Sequence, residues 1–186
     1  MSEIQHRCGW VNLANPLYVS YHDYEWGMPC HDDRMLFELL VLEGFQAGLS
    51  WESILNKREA FRAAFDGFDV RVVAGYGESK VAELMANPGI VRNRRKIEAA
   101  IANAQAFMRV QTEWGSFDSY LWAFVDGGPV IEDCSEHITS PLGDRVSADL
   151  KRRGFKFVGP VITYSYLQAT GVICGHERGC DLSALG

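Results

Sequence analysis

The sequence predicts an all-helical fold, and three observations lead there. Apolar residues recur at helical spacing, most clearly in KIEAAIANAQAFMRV, where Ile97, Ile101, Ala104 and Met108 share one face of a long helix over residues 96–109. Helix start and stop signals bracket the other apolar stretches. No convincing alternating strand, internal repeat or low-complexity tract appears anywhere in the chain. In chain order, Asp32 or Asp33 is placed to cap a helix carrying Leu36, Leu39, Leu40 and Leu42, with a stop at Gly44. A second helical stretch runs from Ser50 to about Phe65. Residues 126–144 are rich in Gly, Pro and polar groups and read as a connecting loop. A further helix begins at about Ser147 and breaks at Gly154, and a largely apolar, core-forming helix follows Pro160.

Composition narrows the class. The 186 residues, 47% of them apolar, fit one domain spanning 1–186 with its own core. A formal charge of -6 excludes a protein coated in basic charge, so any nucleic-acid surface must be local. The start MSEIQHRCGW lacks the apolar centre of a signal peptide, and no segment approaches a membrane span, so the expected address is cytoplasmic, with no membrane partner and a monomeric state as the default. Five cysteines in a reducing compartment favour metal binding or plain burial over disulfides.

HERGC, near the end, places His176 and Cys180 four residues apart, about one helical turn, so both can face one ion. Cys8 and His22, near the start, complete a Cys2His2 set with two ligands from each end of the chain. Four protein ligands would make the ion structural and would fasten the termini together. The alternatives are two buried thiols with two surface histidines, or the competing neighbours Cys30 and His31.

The segment NPGIVRNRRKI puts a Pro-Gly turn between two helical patterns, followed at once by Arg92, Arg94, Arg95 and Lys96. Backbone N–H groups at such a helix start, beside positive charge, suit a phosphate oxygen, although a solvated basic turn has the same composition. LKRRGFKF at 150–157 offers a second basic cluster. Aromatic residues crowd the first third of the chain, among them Trp10, Tyr18, Tyr21, Trp26 and Trp51. Within LLVLEGFQAGLSW, Glu43 sits where an apolar helix would otherwise continue inward, and a carboxylate there needs partners or a job. Aromatic walls around one carboxylate suit a planar, cationic or hydrogen-donating ligand such as a nucleobase.

RCGW, PLYVSYHDYEWG, LLVLEGFQAGLSW, PGIVRNRRKI, RRGFKFVG and HERGC, in that order, resemble the bacterial 3-methyladenine DNA glycosylase I family over nearly the whole chain. The resemblance implies an all-helical variant of the helix-hairpin-helix glycosylases, with its hairpin at about 80–97. The implied activity is excision of 3-methyladenine from alkylated double-stranded DNA. It also implies one structural zinc per chain, held by Cys8, His22, His176 and Cys180. In the implied base pocket Glu43 accepts hydrogen bonds from the base and is the catalytic carboxylate, Trp51 stacks, Tyr21 completes the edge contacts, and Trp10 and Trp26 form nearby walls. Gln46 to Leu49 corresponds to an intercalating segment, with Leu49 filling the gap left by the extruded nucleotide. Gly89, Arg92, Arg94, Arg95 and Lys96 fall on the DNA-contacting hairpin.

Laid on the hairpin of lyase members, the Schiff-base Lys position falls at Asn93, which implies a monofunctional glycosylase with no strand cleavage. Asp118 is a reserve candidate for the essential Asp that many related glycosylases carry. Val91 and Arg92 stand where the common hairpin pattern prefers a second Gly. Two other readings compete: a zinc-stabilised DNA-binding module without catalysis, and a hydrolase with zinc in its active centre, which would require an open coordination position.

Overall fold

A computed structural model describes residues 4–126, 128–135 and 137–184. Among these residues the chain forms ten α-helices and one 3-10 turn (Asp66–Phe68): α1 (Pro16–Tyr24), α2 (Asp33–Gln46), α3 (Trp51–Leu55), α4 (Arg58–Ala64), α5 (Val70–Ala74), α6 (Glu78–Ala86), α7 (Arg94–Trp114), α8 (Phe117–Trp122), α9 (Pro141–Arg152) and α10 (Pro160–Ala169). Two residues of β1 (Val130–Ile131) pair in parallel with two of β2 (Ile173–Cys174), a short bridge that the sequence did not announce. Two residues are too few to display an alternating pattern. Among the described residues no helix is long and apolar enough to cross a membrane.

α2 is the central element, buried at every position from Leu36 to Phe45. Asp32 caps it by accepting from the Met35 amide at 2.9 Å. Asp33 serves another helix, accepting from the Phe117 and Asp118 amides at the start of α8. The expected stop at Gly44 does not occur: the glycine keeps a helical backbone against Phe157 and the helix runs on to Gln46. The stretch expected from Ser50 to Phe65 is interrupted between Leu55 and Arg58, giving α3 and α4. The long helix starts at Arg94 and ends at Trp114, longer at both ends than expected. α9 begins at Pro141, not at Ser147, because Ser140 caps it and Pro141 supplies the first-turn φ.

Lys96, expected on the DNA-facing surface, is turned inward. It is only 7% exposed, and its ammonium donates to the Phe45 and Ala47 carbonyls at 2.8 and 2.7 Å, so it neutralises the C-terminal end of α2. Burial lowers its pKa without removing that role. Replacing Lys96 by Met is expected to cost about 2 kcal/mol, measured by urea unfolding.

The end of α10 meets the 27–30 loop through Gly27 N–H to Gln168 O and Cys30 N–H to Thr170 O, both 3.0 Å. Gly171 has φ +69° there, and a β-carbon would overlap the Met28 carbonyl. Gly171→Ala is therefore expected to destabilise by about 3 kcal/mol, read by thermal melting.

The two ends of the chain lie side by side. Gly9 N–H donates to Glu177 at 2.6 Å, Asp181 N–H to the His6 carbonyl at 2.9 Å, and the Gln5 and His6 amides to the Asp181 carboxylate at 2.7 and 3.0 Å.

Candidate active site and metal centre

Four helices converge on a cavity of about 230 Å³. α1 contributes Tyr21, α2 contributes Glu43 and Gln46, α3 opens on Trp51, and α10 contributes Ser165 and Gln168, while Trp10 and Trp26 close the wall from flanking loops. Tyr18, one turn before Tyr21, lines it as well. In the sequence Tyr18 is one aromatic among many, and Ser165 and Gln168 are not among the expected site residues. Their signal is weak: two polar residues three apart on a largely apolar helix share one face, but the sequence does not say what that face meets.

Two polar atoms define what this cavity asks for. Glu43 Oε2 and Trp51 Nε1 are the buried side-chain atoms without a hydrogen-bond partner among the described residues. An unsatisfied buried carboxylate is costly. Glu43 is 3% exposed, and burial pushes its carboxyl up to about 8. Among the described residues no cation offsets that burial, so a cationic ligand would restore the ionised form. Burial, with Glu43 nearby, also holds the Tyr21 phenol well above its ordinary pKa, leaving it a hydrogen-bond donor. The Tyr21 and Trp51 rings lie 5.3 Å apart at 45°, and Trp10 meets Trp26 edge-on at 4.9 Å. A larger groove of about 660 Å³ beside Met28, His31 and Arg34 has no orphaned buried polar atom and poses no comparable demand.

Behind the Trp10–Trp26 wall, Cys8, His22, His176 and Cys180 are all buried, with one ligand atom from each lying within 4.8 Å of the others. Cys8 Sγ to His176 Nδ1, Cys180 Sγ to His176 Nδ1 and Cys180 Sγ to His22 Nε2 are each 3.6 Å. A tetrahedral ion with ordinary zinc–sulfur and zinc–nitrogen bonds spaces its S and N ligands about 3.6 Å apart. The donor set therefore fits zinc. The other nitrogen of His22 meets Asp23 at 2.8 Å, and Arg7 grips Asp23 through two bonds of 2.8 and 2.7 Å, an outer shell that fixes the imidazole. Burial pushes the Cys8 thiol up to about 12 and the His176 imidazole down to about 4, so metal binding would displace a thiol proton. His176 packs edge-on against Trp26 at 4.7 Å, which ties this cluster to the cavity wall. The competing pair lies outside it: His31 bonds Asp118 at 2.7 Å, and the Cys30 thiol points to the Asp32 carbonyl. Asp118 does not line the cavity.

The residues expected to touch DNA are not equally available. Gln46 lines the cavity, and Leu49 is 45% exposed on the turn after α2, where Gly48 has φ +79°. Arg92 and Arg95 are exposed. Arg94 is exposed but forks onto Glu78 at 2.8 and 3.1 Å. The Gly89 amide donates to the Asn87 side chain at 2.8 Å, and Asn93 caps α7 by accepting from the Lys96 amide at 3.2 Å.

A helical domain with a lone carboxylate in an aromatic cavity, backed by a thiol–imidazole cluster between its ends, has close counterparts among known proteins. Residues 10–183 match the family model for methyladenine glycosylases, and the chain belongs to that family. It is 46% identical over 178 residues to DNA-3-methyladenine glycosylase 1 of Escherichia coli (strain K12), covering 94% of this chain and 95% of the relative. A crystal structure of a 3-methyladenine DNA glycosylase I superposes with a TM-score of 0.91 at 45% identity, covering 96% of this chain and all of that one. The Staphylococcus aureus 3-methyladenine DNA glycosylase I, solved to explain its recognition of 3-methyladenine, gives 0.91 at 36% identity over 97% of this chain and 98% of that one.

Proposed function

We propose that this protein is a monofunctional DNA glycosylase that extrudes 3-methyladenine from alkylated double-stranded DNA and hydrolyses its N-glycosidic bond. The observation that carries the proposal is the orphaned Glu43 carboxylate inside a cavity of aromatic walls. Methylation at N3 makes adenine cationic. The charged base gives the buried carboxylate the partner it lacks, whereas neutral adenine leaves its burial uncompensated. Tyr21 would donate to the base edge, and Trp51 would stack on the base. Gln46 and Leu49 would occupy the gap left in the duplex.

The reaction makes modest demands on the protein. As the bond between the sugar C1′ and the base breaks, its electron pair goes to the base, which leaves neutral. Water oxygen then joins C1′, and the water's proton is released. The developing positive charge on the sugar would be stabilised by Glu43 and by the DNA's own phosphates. Asn93 in place of an amine nucleophile supports hydrolysis without a lyase step.

Zinc, held by Cys8, His22, His176 and Cys180, would have a purely structural part, because four protein ligands leave no open position for an attacking water. A helix-hairpin-helix at about 80–97, formed by α6 and the start of α7, would present Arg92 and Arg95 to phosphates of the duplex. We read the chain as a single domain acting as a monomer. A DNA-binding module without catalysis has no use for an orphaned carboxylate in an aromatic cavity, which favours the enzyme. Incubation with methylated duplex should release free 3-methyladenine and leave strands that break only after alkali. No released base would overturn the glycosylase, and strand breaks without alkali would overturn its monofunctional character.

A further inference from the structure

Arg58 is the first residue of α4, is 7% exposed, and stands at the end of a helix where a cation is disfavoured. Its contacts account for that position. Its two terminal nitrogens fork onto Glu25 at 2.7 Å each, and its Nε donates to Glu38 at 2.5 Å. Glu25 terminates α1, and its amide donates to the carbonyl of Tyr21 at 3.0 Å. Glu38 lies five residues before Glu43 on α2, about 140° away around the helix, so it grips the back of the helix whose front carries the cavity carboxylate. α4 follows directly on α3, which carries Trp51. One guanidinium thus joins the three segments that bring Tyr21, Glu43 and Trp51 together. Arg62 holds Glu38 from the outer side at 2.8 Å and reaches Glu59 at 2.7 Å, but among the described residues Glu59 makes no hydrogen bond or ion pair with α1.

We propose that Arg58 is a positioning residue for base recognition, setting the separation of Tyr21, Glu43 and Trp51 through its tie to Glu25 and Glu38. This inference rests on the proposed recognition of 3-methyladenine in that cavity. Glu25→Ala, Arg58→Lys and Glu59→Gln test it, each measured for 3-methyladenine affinity by tryptophan fluorescence, affinity for undamaged duplex, and melting temperature. Glu25→Ala and Arg58→Lys, whose ammonium cannot span both carboxylates, are expected to weaken base binding about tenfold or more while undamaged-duplex affinity stays unchanged. Glu59→Gln, which removes an ion pair from the same cluster but leaves the tie intact, should match the parent. The inference is overturned if Glu25→Ala and Arg58→Lys bind the base as the parent does. It is also overturned if base and duplex affinity fall together, or if Glu59→Gln loses as much. A parent protein that binds no 3-methyladenine would instead remove the functional reading on which the inference rests.

Discussion

Glu43→Gln is expected to melt higher than the parent above pH 8 and to converge with it toward pH 4, while losing about a hundredfold in affinity for 3-methyladenine. The pH dependence follows from linkage. Burial raises the Glu43 carboxyl from 4.5 to about 8, so the native state holds a proton that the unfolded chain releases throughout that window. Its contribution to stability is therefore fully present below 4.5 and is lost as pH rises through about 8. Glutamine carries no charge at any pH and escapes the loss, which reaches about 5 kcal/mol on the alkaline side. For a domain of this size that corresponds to about 10 °C in melting temperature. The affinity loss follows from hydrogen bonding: the free base is neutral, and the carboxylate placed to accept its N–H donors becomes an amide with a single acceptor oxygen. Binding of that base would draw the carboxyl pKa back down. Parent and variant melting alike at pH 9 would contradict the burial argument.

Metal removal is the second large effect. Stripping with a chelator, or Cys180→Ala, is expected to lower stability by at least about 3 kcal/mol and to weaken 3-methyladenine binding. Elemental analysis of the parent should return one zinc per chain. Hydrogen bonds among Gln5, His6, Gly9, Glu177 and Asp181 also join the termini, so loss of the ion should loosen this end without unfolding the whole chain. Base binding suffers because His22 and His176 form the surface on which Trp26 packs, at 6.4 and 4.7 Å between ring centres, and Trp26 supports Trp10. Stripped protein with unchanged melting and unchanged base affinity would contradict the coupling of the two sites.

Much of this arrangement was legible in the residues themselves. The four clustered Cys and His side chains were legible as candidates because thiols and imidazoles are a small set, and only their meeting across more than 150 residues required folding. Glu43 stood out because a carboxylate interrupts an apolar run. The helices at Asp33 and Arg94 announced themselves through capping and periodicity. Less legible were features that depend on neighbours. Gly44 lies inside its helix, packed against Phe157, where a glycine in sequence reads as a stop, and Ser165 and Gln168 face the cavity only because α10 lies across α2. Lys96 belonged to a basic run in sequence, yet it caps the end of α2 because two carbonyls face it there. Charge along a chain does not say which side chains the fold turns inward. The tie through Arg58 was equally hidden, since its partners lie 20 and 33 residues away.

The most direct test of the account is single-turnover release of 3-methyladenine from methylated duplex by the parent and by Glu43→Gln, with duplex affinity measured for both. The account predicts release by the parent, a drop of about two orders of magnitude or more in the variant, and equal affinity for undamaged duplex. Equal release by both proteins would contradict the central claim that the buried carboxylate recognises the base.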